Sequence, residues 1–143
     1  MEINKKLLEI LLAGAKENPR LRQNFDLRTS FADTSQRMLN ALQPQTEVPI
    51  HRHENTAETV ICLVGKLEEI IYEEVNEYVH EATSCCDDVI RQKSFKEVSR
   101  QILSPAEGKF GIQIPAGAWH TINVIEPSVI FEVKDGAYRG DDR

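Results

Sequence analysis

The chain has 143 residues, 41% of them hydrophobic and 28% charged, the balance of one globular domain long enough to bury a core without disulfides. Its 17 Lys and Arg against 23 Asp and Glu give a formal charge of −6, which argues against the basic face that nucleic acid or an anionic membrane rewards. Apolar runs of a few residues exclude a membrane-spanning helix, and the N-terminus lacks the basic-then-apolar plan of a leader, so a cytoplasmic protein is expected.

Residues 4–17 read as an amphipathic helix. Leu7, Leu8, Leu11, Leu12 and Ala15 recur at helical spacing, opposite Lys5, Lys6, Glu9 and Glu17. Pro19 ends it, because the residue before a proline is pushed out of the helical region. With its following arm to residue 25, this helix is expected to cover a sheet. From there the pattern is β. Residues 36–42 alternate loosely, and residues 59–64 form a continuous apolar run like a strand covered on both faces. Gly65 then breaks the run, and residues 66–72 read as the returning strand of a hairpin. Residues 108–115, 121–125 and 128–133 supply three more short strands, separated by Pro-Ala-Gly and Glu-Pro signals. This is a mainly β chain, a sandwich or closed barrel with an N-terminal helix.

Residues 77–97 break the rhythm, with few large apolar groups, many charges and no clear period. They read as an insertion on the barrel rim with a helical turn around residues 87–93. Of the three cysteines, Cys62 sits in an apolar run, while Cys85 and Cys86 are adjacent in the insertion. An odd count with no framework spacing points to unpaired thiols.

The chemistry lies at two places. His51-Arg52-His53 is followed by Glu58, and in a strand residues i and i+2 share a face, so the two imidazoles project together. A short turn brings Glu58 beside them. The second place is Pro115-Ala116-Gly117-Ala118-Trp119-His120, a tight turn presenting one more imidazole. Mixed nitrogen and oxygen donors of this kind suit a borderline divalent ion. His80 lies in the polar insertion and is not counted among them. Arg37, whose planar fork could hold a carboxylate or phosphate, Asn40 and Gln113 are candidates for contacts beyond the metal. Trp119 reads as core packing rather than as a sugar-stacking platform.

These residues resemble the motifs of the cupin superfamily. The first, Gly-x5-His-x-His-x(3 or 4)-Glu-x6-Gly, matches at His51, His53, Glu58 and Gly65, with Gln45 in place of the leading glycine. The second matches at Pro115, Gly117 and His120. Gly108 lies one residue too far from Pro115 for it, and Asn123 one too near His120. Residues 19–25, residues 37–44, the ligand loop and residues 131–138 are further similar to WbuC-type cupin-fold metalloproteins. Leu27-Arg28 stands where that family tends to have a histidine, and Ala137 where it usually has a proline.

The resemblance implies a double-stranded β-helix (jelly-roll) barrel and one divalent metal, Zn, Fe, Mn or Ni, on His51, His53, Glu58 and His120. Four protein ligands on an ion that accepts six leave two positions for a small molecule in the barrel mouth. Three functions fit. The first is a Lewis-acid isomerase or epimerase acting on a carbohydrate or nucleotide sugar in surface-polysaccharide metabolism. The others are an iron-dependent oxygenase and a non-catalytic binding or sensing module. A homodimer is expected, because the outer face of residues 59–64, with Ile61 and Leu63, needs a cover that the helix or a second subunit supplies.

Overall fold

The computed structural model describes residues 1–80 and 89–136; Cys85, Cys86 and Ala137 lie outside the described residues, as do residues 87 and 88 of the expected helical turn. Helix α1 (Lys5–Glu17) starts at Asn4, whose side chain accepts a hydrogen bond from the Leu7 N–H at 3.0 Å, satisfying one of the free donors of the first turn. Six strands follow: β1 (Arg22–Asp26), β2 (Ser35–Leu42), β3 (Glu58–His80), β4 (Val89–Leu103), β5 (Gly111–Ile114) and β6 (Trp119–Asp135). All pairings are antiparallel, in the order β1-β2-β6-β3-β4, with β5 added on β3. No helix among the described residues is long and apolar enough to cross a membrane.

The expected hairpin at Gly65 is a bend instead. Strand β3 runs on through the glycine, pairing first with Val129–Lys134 of β6 and then, past irregular register, with Trp119–Glu126 of the same strand. Both long strands turn the corner together. Gly65 adopts φ +97, and a Cβ built on it would lie 2.2 Å from the Pro127 carbonyl oxygen. Ser128 closes the corner, its buried hydroxyl accepting from the Lys66 N–H at 3.0 Å and donating to the Glu126 carbonyl at 2.6 Å. Bulges of this type let one strand serve two packed sheets, which is how the jelly-roll barrel closes.

The described residues of the 77–97 segment are strand rather than irregular chain, residues 77–80 continuing β3 and residues 89–97 belonging to β4. Beyond Tyr72, β3 pairs with β4 alone, and the two form a projecting ribbon with register from Glu73↔Lys96 to His80↔Val89. Residues 89–93, expected in a helical turn, belong to β4. Glu73, Glu74, Asn76 and Glu77 are exposed on this ribbon, and a ribbon open to solvent needs no alternation of apolar and polar residues. Glu77 and Gln92 are register partners. Replacing residues 78–91 with an Asn-Gly turn should therefore leave unfolding cooperative and move Tm by less than about 4 °C, measured by circular dichroism.

Two apolar clusters hold the barrel. One lies in the interior and includes Leu42, Val60, Cys62, Leu67, Leu103, Ile114 and Ile130. The other lies under the helix, where Leu11 and Ala15 pack with Leu39, Ala41 and Val129, and Leu7, Leu8, Leu12, Phe25 and Phe131 close the sides. Strand β2 is thus buried on both faces, Leu39 and Ala41 toward the helix and Met38, Asn40 and Leu42 toward the interior. Burial pushes the Cys62 thiol up to about 11, which leaves it an inert core group.

The Gln45 position bears on the fold as well. It adopts φ +76, the left-handed conformation that glycine takes at no steric cost. The turn therefore survives the substitution under strain. Gln45→Gly should stabilise the protein by about 0.5–1 kcal/mol in urea unfolding, relief of strain outweighing glycine's extra unfolded-state freedom.

Candidate metal centre

The centre is built where the two ligand segments meet. The His51 N–H donates to the His120 carbonyl at 3.0 Å and the His120 N–H donates to the His51 carbonyl at 2.8 Å, an antiparallel bridge outside the main strands. Next to it, the Gly117 N–H donates to the His53 carbonyl at 2.8 Å. Gly117 has φ +80 in the turn that the Ala118 N–H closes on the Pro115 carbonyl, so the Pro-Ala-Gly signal positions His120 as well as starting β6. Glu58 opens β3, flanked by Lys134 on β6 and Ile114 on β5, and it is buried.

The three imidazoles converge. One ring nitrogen from each of His51, His53 and His120 lies within 4.8 Å of the other two, the one group among the described residues able to gather a metal through three His, Cys or acidic side chains. The rings of His51 and His120 are closest, with centroids 4.2 Å apart. Backbone carbonyls orient two of them: His51 Nδ1 is 2.9 Å from the Pro49 oxygen and His120 Nδ1 is 2.9 Å from the Ala118 oxygen. A carbonyl only accepts, so Nδ1 carries the proton in both rings and the Nε2 lone pair is turned to the centre. This is the arrangement in which outer hydrogen bonds fix a ligating histidine's tautomer. Glu58 Oε2 lies 2.8 Å from His53 Nε2 and 3.9 Å from His120 Nε2. Bond lengths of about 2.1 Å to nitrogen or oxygen fit this donor set after small ring shifts. The residues suit a divalent ion.

Of the further candidates, the structure brings only Asn40 to the interior. Arg37 shares the helix-facing side of β2 with Leu39 and pairs with Asp33 at 2.7 Å, a contact that holds the Asp33 carboxyl below its usual range. Gln113 points outward from β5, accepting a hydrogen bond from Thr59 Oγ1 at 3.0 Å, while Ile112 and Ile114 point in. Trp119 alternates with His120 and so packs outside the barrel, 4.9 Å from the Phe95 ring, with Arg52 and Lys93 over its face at 4.6 and 4.3 Å. Sequence reasoning missed Gln36, Glu69, Glu132 and Lys134, all buried polar groups of the interior. The signal was there for two of them: Glu132 and Lys134 sit in phase with Ile130 on an otherwise apolar strand.

Comparison with solved structures supports the same architecture. KdgF from Halomonas sp. superposes with TM-score 0.55 at 15% identity, over 87% of this chain and 86% of that one. A candidate sugar phosphate isomerase from Acidithiobacillus ferrooxidans gives TM-score 0.53 at 16% identity, over 81% of this chain and 60% of that one. Oxalate oxidase in complex with glycolate gives TM-score 0.55 at 11% identity, over 87% of this chain and 55% of that one. The chain thus spans less than two thirds of the last two. At such identities the likeness is one of fold, the cupin-type jelly roll. No curated protein matches the chain. A family model does match, over residues 3–83, and by that match the chain belongs to the family described as Domain of unknown function (DUF6016).

Proposed function

We propose that the protein is a metal-dependent cupin acting on a carbohydrate or nucleotide sugar, in the manner of an isomerase or epimerase. The observation that carries this reading is the convergence of three imidazole nitrogens, two held in tautomer by the Pro49 and Ala118 carbonyls. His51, His53, Glu58 and His120 would hold one divalent ion. When bound, such an ion supplies Lewis acidity toward a carbonyl or hydroxyl oxygen. The protein's part is to fix the ligand geometry and to keep the Glu58 carboxylate buried beside His53. Support for the sugar comes from the WbuC-type resemblance of residues 37–44 and from the fold shared with the candidate sugar phosphate isomerase.

Metal analysis of protein purified without affinity-tag metal tests the first half. Zinc or manganese near one equivalent is expected, and protein without metal would end the reading. The second half is tested by proton NMR of nucleotide sugars in heavy water, where exchange of a ring hydrogen or appearance of an epimer is expected. Neither appearing across a panel of such sugars would remove the isomerase assignment. Redox-active iron with oxygen uptake would transfer the site to oxygenase chemistry, the reading the oxalate oxidase fold accommodates.

A homodimer belongs to the same proposal. The helix covers Leu39, Ala41 and Val129, not the outer face of β3, where Leu63 and Val64 are 37% and 40% exposed. Light scattering at micromolar concentration should give twice the 16.3 kDa chain mass; the single-chain value would show that this face stays open.

A further inference from the structure

We infer that the wall of the barrel below the metal centre is a ledge for an uncharged polyhydroxyl group, so that the part of the guest it receives is a neutral sugar ring and not a carboxylate chelator. The inference rests on the metal-dependent reading above and names the class of molecule the site takes.

Register locates the ledge. Gln36, Lys134 and Glu58 lie side by side across β2, β6 and β3. Met38, Glu132 and Val60 form the next row, and Asn40, Ile130 and Cys62 the one below. All point inward, in phase with the core residues Leu42, Val60 and Ile130. From Gln36 to Asn40 the wall descends about 13 Å at the usual strand rise, starting beside the Glu58 carboxylate.

Two groups on this wall ask for a guest. Gln36 is 4% exposed and Asn40 1%, and Gln36 Oε1 and Asn40 Oδ1 are buried without a hydrogen-bond partner. An acceptor left so is costly, and native interiors fill such positions with a ligand or ordered water. A sugar hydroxyl donates to an amide oxygen and would equally accept from the amide nitrogen, whichever way the amide is turned; a carboxylate can do only the second. Between the two amides Met38 offers an apolar surface to the C–H face of a sugar ring.

Charge points the same way. Glu58, Glu69 and Glu132 are buried on the inner face, against the one buried ammonium of Lys134 among the described residues, whose Nζ donates to the Gly136 carbonyl at 3.1 Å. An anionic guest would add a further charge beside carboxyl groups already withdrawn from water, whereas a neutral one adds none.

Calorimetric titration of the metal-loaded full chain tests this, with D-glucose, D-glucuronate and glycolate as probes. Glucose should bind about tenfold or more tightly than glucuronate, which differs by its carboxylate, and more tightly than glycolate. Gln36→Leu and Asn40→Leu should each weaken glucose by about tenfold at unchanged metal content. The inference is overturned by tighter binding of either acid, by absence of glucose binding, or by Leu variants that bind glucose like wild type. Should the variants not fold, the wild-type comparison still decides. Metal content is read separately, so failure of the metal assignment is distinguishable from failure of the ledge.

Discussion

His120→Ala is expected to strip the centre of its metal, lowering affinity by more than about 100-fold while the barrel stays folded. The imidazole supplies an Nε2 held in tautomer by the Ala118 carbonyl, and no other described His, Cys or acidic side chain completes such a group. The fold should survive because the bridge to His51 runs through backbone atoms, which alanine retains. Elemental analysis of variant and wild type, alongside a thermal melt, checks both halves. Stoichiometric metal in the folded variant would remove His120 from the ligand set. His51→Ala and His53→Ala should behave alike, and Glu58→Gln should cost less, because an amide oxygen still donates to a metal.

Gly65→Ala carries the largest expected loss of stability, roughly 2–5 kcal/mol, from left-handed strain and overpacking together. The new Cβ would meet the Pro127 carbonyl oxygen at 2.2 Å, Ser128 Oγ at 2.4 Å and Ser128 Cα at 2.6 Å. Two of these are backbone atoms and cannot swing aside. Gly108 offers the control: its φ is also positive, +75, but nothing lies within 4 Å of the added carbon. Gly108→Ala should therefore cost only the strain, about 1–2 kcal/mol. Urea unfolding of the two variants separates the contributions, and equal losses would show that the corner yields to the extra atom.

The convergence of the imidazoles was legible because its logic is local. His51 and His53 are two residues apart on one segment, Glu58 follows by a short turn, and the Pro-Ala-Gly turn sets His120. What the sequence did not disclose depends on the partner strand. A glycine reads as a reversal or as a bend according to whether Pro127 lies across from it. Arg37 and Gln36 differ by one position, and a period of two sends them to opposite faces, so the amide one residue earlier is the one that reaches the interior. The same period sends Gln113 outward, to Thr59. The pairing of β3 with β4 was hidden because the exposed positions at Glu73, Glu74, Asn76 and Glu77 impose no alternation on the residues there.

The backbone bridge between His51 and His120 has a consequence for the order of events. Half the chain lies between these two residues, and bringing such distant ligands together from an unfolded state carries a loop-closure entropy that a metal-assembled domain must recover from its ion. Here the sheet has already closed that loop. Chelation should therefore remove the ion and leave a folded apoprotein, in which the His51 and His120 amides exchange with heavy water as slowly as those of the neighbouring strands. The free energy of binding a metal there would then go to holding the ion rather than to folding the chain.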